Sequence, residues 1–213
     1  PEDRNPSFWQ TAAFKWGKRE IEGKTKEDMT KRERTIVYAQ PTGLGHFLPG
    51  FMTSSYSIRG IGMVAYDGLI AEPRGSYHVG EKKGPEPALA KSWELQEGGS
   101  KWIVHLQEDA KWHDGEKFNA DDVIFTYEEI IKNPESGYGR LASARYYEEN
   151  GIEVEKQDEY TVVFTMDEYS PTFPFRVLAE NMLPEHVLKD VPVDQLMSSE
   201  LNQETIMGTG PWI

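Results

Sequence analysis

The stretch "KWIVHLQEDAKWHDGEKFNADDVIFTYEEII", Lys101 to Ile131, constrains the fold more than any other. In its first part Trp102, Val104 and Leu106 share one face while Ile103 and His105 share the other, the period of a half-buried strand. Asp114-Gly115 then supplies a tight turn, because glycine accepts a positive φ and aspartate tolerates one. Asn119 precedes "ADD", with Asp122 three residues on, so the side chains can satisfy the first free amides of a helix. Asp121 and Asp122 also favour its positive end. Val123, Tyr127, Ile130 and Ile131 recur at helical spacing and predict its buried stripe. Asp114, Asp121 and Asp122 are thus each read as having a structural role.

The flanking sequence repeats the strand pattern. "SWELQ" and "KWIVHLQ" are joined by "EGGS", a glycine-containing hairpin loop, and "GIEVEKQDEYTVVFTM" reads as a second hairpin. The region is therefore expected to be a small antiparallel β unit with one helix packed on it. Upstream, "RTIVYAQP" reads as a first strand ended by Pro41, followed by the loop "TGLGHFLPGFMTSSYS". A helix is expected from Ile58 to about Tyr66, on the spacing of Ile58, Ile61, Ala65 and Leu69, with "DGLI" closing it. Residues 71–90 are rich in turn formers. "VLAENMLPEHVLKDV" is expected to be a helix with Pro184 near its start, and "GTGPW" a turn into a strand.

Charge narrows the classes of partner. The chain of 213 residues carries a formal net charge of −13, which opposes binding to nucleic acid or to an anionic membrane. Residues 1–35 are the exception, with nine Lys and Arg against seven Asp and Glu. There Phe8, Trp9, Ala12, Ala13 and Trp16 form one sticky helical face, read as an arm docking on its own domain or on a partner. Cysteine is absent, which removes disulfides, thiol nucleophiles and thiolate metal sites. No apolar run approaches the ~18 residues needed to span a bilayer. The chain shows no export signal, so it is read as cytoplasmic or as having lost one.

Catalytic patterns are weak. The five histidines, His46, His78, His105, His113 and His186, form no i, i+4 pair of the kind a hydrolytic zinc site uses. No GxSxG elbow or Walker-type phosphate loop occurs. A metal-dependent hydrolase built on His113 and Asp114 remains the enzymatic alternative, and a partner-binding module using the aromatic arm a third reading.

"EPALAKSWELQEGGSKWIVHLQEDAKWHDGEKFNADDVIFTYEEII" closely resembles the signature region of the family 5 extracellular solute-binding proteins. These are the oligopeptide-, dipeptide-, nickel- and oligosaccharide-binding receptors of ABC importers. "VAYDGLI" at 64–70, "NMLPEHVLKDV" at 181–191 and "GTGPW" at 208–212 stand in the family's order, and the likeness runs from about Arg34 to Ile213.

The resemblance implies an α/β fold of the periplasmic-binding-protein-like type II class, in its large form with an extra small domain. On that basis residues 1–35 are an arm, 36–70 the first segment of lobe I, 71–172 the small α+β domain and 173–213 a return to lobe I. The second lobe is absent, so the chain is expected to be the first part of a longer receptor. The implied function is noncatalytic, without cofactor or metal. The receptor captures an oligopeptide or oligosaccharide by hinge closure and delivers it to a membrane permease. Its implied place is periplasmic or anchored at the cell surface. The family's solute loop falls on roughly Gln40 to Ser57 here. Thr53, Ser54, Ser55 and Tyr56 are expected to hydrogen-bond a polar solute, with Phe51 or Tyr56 offering a stacking face. Gln40 and Tyr138 are further candidates, whereas Trp212 is expected to be buried.

Overall fold

The computed structural model describes residues 46–51, 62–71, 84–137, 142–203 and 206–210. All of these except Gly84 belong to one compact unit. The expected arm and the first strand, "RTIVYAQP", lie outside the described residues.

The two hairpins combine into one four-stranded antiparallel sheet. Strand β3 (Ala90–Gln96) pairs with β4 (Lys101–Leu106), and β5 (Glu153–Asp158) pairs with β6 (Thr161–Thr165). The hairpins join through β4 and β6, giving the order β3-β4-β6-β5. The register places Leu95, Trp102, Phe164 and Val154 side by side across the sheet, and Trp93, Val104 and Val162 in the next row. Antiparallel partners point to the same face, so this register collects the apolar residues on one side. Trp102, Val104 and Leu106 are buried as their alternation requires.

The "EGGS" turn places Glu97, Gly98 and Gly99 in succession at positive φ, which explains the paired glycines. A Cβ at Gly99 would also run into the Tyr169 ring. Before this sheet stand two short strands, β1 (Ile70–Ala71) and β2 (Glu86–Pro87), paired antiparallel. They bracket the turn-rich segment, and nothing in its composition announced them.

Of the helix expected over 58–66, the described residues contain its end, α1 (Met63–Ala65), after which Tyr66 is extended. Helix α2 (Ala120–Ile124) starts at Asn119 with the full capping box and continues as a π-helical turn through Phe125–Ile131. Its stripe of Val123, Tyr127, Ile130 and Ile131 is wholly buried. Tyr127 stands edge-on to Phe164 at 5.1 Å and stacks on Tyr147 of α3 (Ala142–Glu149) at 5.5 Å. Phe173 completes the layer against Trp102 and Phe164, and the Tyr127 hydroxyl donates to the Val177 carbonyl at 2.7 Å. One continuous core thus joins the sheet, α2, α3 and residues 173–196.

The single helix expected from Val177 to Val191 is broken in two. A π-helical turn over Pro174–Leu178 ends where Ala179 donates back to Pro174, and α4 (Glu185–Leu188) begins after Pro184. Between them Asn181 bridges Gly68, and the Met182 amide donates to the Asp67 carbonyl. Those backbone groups serve a distant segment, so they are withdrawn from any helical ladder. Helix α5 (Glu200–Gln203) follows.

Candidate functional site

The sequence singled out two places, the "HDG…ADD" stretch and the loop leading to "YDGL". In the first, the Trp112 amide donates to the Glu116 carbonyl, the Gly115 amide to Trp112, and the Glu116 amide to the Asp114 carboxylate. Gly115 takes the positive φ that the turn needs. The other Asp114 oxygen meets His186 Nε2 at 2.8 Å. Burial pushes the Asp114 carboxyl up, but the His186 and Glu116 contacts outweigh it and hold it below its ordinary value.

Asp122 is nearly inaccessible, yet its carboxylate accepts three N–H groups. They are the Asn119 amide at 3.1 Å, the Trp112 indole at 3.2 Å and the Glu185 amide at 2.9 Å. It therefore ties the turn, the start of α2 and the start of α4 together. Burial raises its pKa against the pull of these donors.

His113 is committed to backbone at both ring nitrogens. Nε2 lies 2.8 Å from the Gly210 carbonyl, and the Gly208 amide donates to Nδ1 at 3.1 Å. The His113 amide donates to the Gly208 carbonyl as well. No nitrogen lone pair is left for a metal ion. Among the described residues no group of three or more metal-ligating side chains comes together. In this arrangement the stretch works as a clasp on residues 208–210.

Residues 206–210 sit between that clasp and the segment after α1. The Gly210 amide donates to the Ala65 carbonyl at 2.9 Å, and the Thr209 hydroxyl to Asp67 at 3.0 Å. The approach is close enough that a Cβ at Gly208 would run into the Ala65 carbonyl, and one at Gly210 would crowd that of Val64. Asn181 Nδ2 adds a contact to the Gly62 carbonyl. The segment from Gly62 to Asp67 is thus held from two sides.

Phe47 and Leu48 have their own anchor. Asn202, wholly buried, accepts the Phe47 and Leu48 amides on Oδ1 at 3.1 and 3.0 Å. Its Nδ2 donates to the Met197 carbonyl and reaches His46 Nδ1. The polar run "SSELNQET" carries no signal that one asparagine would organise a loop more than 150 residues earlier.

Of the solute-contact candidates, Phe51 is described, and its ring is packed into the core at 4% exposure. A Cβ at Gly137 would stand 3.6 Å from that ring. The expected open stacking face at Phe51 is covered, because the ring fills space beneath the 133–137 turn. Gln40, Thr53, Ser54, Ser55, Tyr56 and Tyr138 lie outside the described residues, as does Trp212.

With this geometry in view, comparison with known proteins places the chain in a class. The family model described as bacterial extracellular solute-binding proteins, family 5 middle, matches residues 84–213, and the chain belongs to that family. A periplasmic alpha-galactoside-binding protein of Rhizobium meliloti is 38% identical over 108 residues, covering 49% of this chain and 15% of its own. The oligopeptide-binding protein AppA of Bacillus subtilis is 31% identical over 138 residues, covering 62% of this chain and 24% of its own. Its structure with a nonapeptide superposes with a TM-score of 0.63 at 26% identity, covering 81% of this chain and 31% of that one. The stachyose complex of MelB from Agrobacterium fabrum gives a TM-score of 0.57 at 31% identity, covering 71% and 25%. The fold is that of the family 5 periplasmic-binding-protein class. The chain spans about a quarter or less of the length of these curated relatives.

Proposed function

We propose that these residues form the first part of an ABC-importer receptor that captures an oligopeptide or oligosaccharide and hands it to a membrane permease. The family match over residues 84–213 carries this reading. The commitment of His113 and Asp122 to backbone supports it over a hydrolase. The receptor works in the periplasm or anchored at the cell surface. Solute binds the closed arrangement better than the open one and shifts the population toward it.

In this reading Gln40, Thr53, Ser54, Ser55 and Tyr56 contact the solute, joined by Tyr138. The Phe51 ring is buried, so Tyr56 provides the stacking face. Asn202 holds Phe47 and Leu48 within that loop, and the clasped 206–210 segment holds residues 65 and 67 after it.

The test is thermal unfolding of the receptor against nonapeptides, shorter peptides and α-galactosides such as stachyose. A solute present at 100 times its Kd should stabilise the receptor by about 2.7 kcal/mol through mass action. Tyr56→Ala should weaken that solute at least tenfold. If no peptide or oligosaccharide raises Tm, the solute class is wrong.

A further inference from the structure

We propose that Asn150–Gly151 is a site of spontaneous covalent modification, at which loss of ammonia from Asn150 releases the junction between α3 and β5. The reaction consumes only water, and nothing in it depends on the receptor reading.

The chemistry singles out this pair. The Gly151 backbone nitrogen attacks Cγ of Asn150, the Cγ–Nδ2 bond breaks, and the side-chain nitrogen departs as ammonia with the amide proton. Water then opens the cyclic imide at either carbonyl, leaving aspartate or an isoaspartate linked through its side chain. Attack requires an N–H on the next residue and little bulk around it. Among the asparagines, Asn150 alone precedes glycine. Asn5 and Asn133 precede proline, which has no N–H, and Asn119, Asn181 and Asn202 precede Ala120, Met182 and Gln203. Asp67 and Asp114 also precede glycine, but an ionised carboxylate is a poor electrophile.

Both reacting groups belong to the cap that ends α3. The Ile152 amide donates to the Tyr147 carbonyl at 3.0 Å and the Gly151 amide to that of Glu148 at 3.3 Å, with Gly151 left-handed at φ 56°. The attacking nitrogen thus makes the longer of the two cap bonds. Nδ2 of Asn150, the leaving group, donates to the Tyr146 carbonyl at 2.8 Å. All of these contacts lie in the last turn, and helix ends fray at little cost. Ring closure therefore needs the end of α3 to open and leaves the core in place.

Neither product can rebuild that cap. Aspartate has no N–H for the Tyr146 carbonyl and sets a negative charge at a helix C-terminus. It also stands beside Asp167, whose amide donates to the Asn150 carbonyl at 3.1 Å. The Asp167 carboxylate covers Gly151 so closely that a Cβ there would run into it. Isoaspartate lengthens the main chain by one carbon between residues 150 and 151, which puts the Gly151 and Ile152 amides out of register with their carbonyls. The core feels the change through Tyr147, stacked on Tyr127, and through buried Ile152.

Peptide mapping by mass spectrometry tests the site on the full chain held in mildly alkaline buffer. Exchange of NH2 for OH should appear at Asn150 ahead of every other asparagine, with isoaspartate among the products. In urea, where the cap contacts are gone, the same conversion should run roughly tenfold faster. Asn150→Gln keeps an amide but closes a larger ring far more slowly, so that position should hold its mass through the same incubation. Asn150→Asp, the direct product, should lower Tm and speed hydrogen exchange at the Gly151 and Ile152 amides. Earlier conversion at another asparagine, or an unchanged Asn150 in folded chain while the urea sample converts, overturns the modification site. Native Tm together with native exchange at both amides in Asn150→Asp overturns the release of the junction.

Discussion

Asp122 shows how a single side chain can be read for chemistry and turn out to be a joint. Its three N–H donors come from a turn, a helix start and a second helix start; without it the Trp112 indole would be left dry and the two backbone amides, part-buried, would lose their partner. Removing one partner of a buried hydrogen bond costs more than the bond itself contributes, because the remaining group stays desolvated. Asp122→Ala is therefore expected to lower unfolding free energy by about 3 kcal/mol or more, and Asn119→Ala, at the exposed cap, by about 1 kcal/mol. Urea denaturation of both variants measures the difference. Tyr66 makes a second prediction at this scale. Burial raises its phenol to about 12, against a weaker pull from the Met207 backbone. The folded chain thus keeps this proton through pH values where the unfolded chain, with an ordinary value near ~10, has released it. Its contribution to stability is intact below about pH 10 and is lost as pH climbs through 12. Tyr66→Phe should flatten the fall in stability over that window, followed by circular dichroism against pH.

Among the elements, the contact of residues 206–210 with α1 is the most demanding. Gly208 and Gly210 stand where any side chain meets a carbonyl of α1, so the pattern "GTG" records a close approach of two backbones. Gly208→Ala should cost about 1–3 kcal/mol, the range for overpacking, and lower Tm accordingly. Elements of this unit differ in how far the sequence announced them, and the dividing line is the range of the interactions that make them. The hairpins and α2 were legible because alternation, turn glycines and the Asn119 cap act within a few residues. Local signals could not show that the amide of Met182 would serve Asp67, or that Asn202 would hold Phe47 and Leu48. The helix expected over 177–191 failed for that reason, since propensity favoured a ladder that a distant strand-like segment took apart. The site divides the same way. "HDG…ADD" was rightly read as scaffold from its turn and cap chemistry, whereas the two-sided grip of His113 on residues 208–210 needed the fold.

At the scale of the molecule, the sheet's two edges differ in their exposed apolar residues, and net charge adds to what guards the second. On β5, Glu153, Glu155, Lys156 and Asp158 are exposed, a charged rim that discourages pairing with another strand. On β3 Glu94 and Gln96 stand in register with Glu155 and Glu153, but the other face of the edge carries Trp93, half-buried, and Leu95, 49% exposed. Among the described residues no strand pairs with the outer side of β3. A net charge of −13 keeps copies apart while it is unscreened. Salt shortens its reach, from about 10 Å at 0.1 M to about 3 Å at 1 M. Sedimentation velocity should therefore show self-association growing with salt concentration. Leu95→Lys, which sets a charge on the edge at an already exposed position, should suppress that growth while leaving the thermal midpoint essentially where it was. Association that is independent of salt, or unchanged in Leu95→Lys, would place the sticky surface somewhere other than this edge.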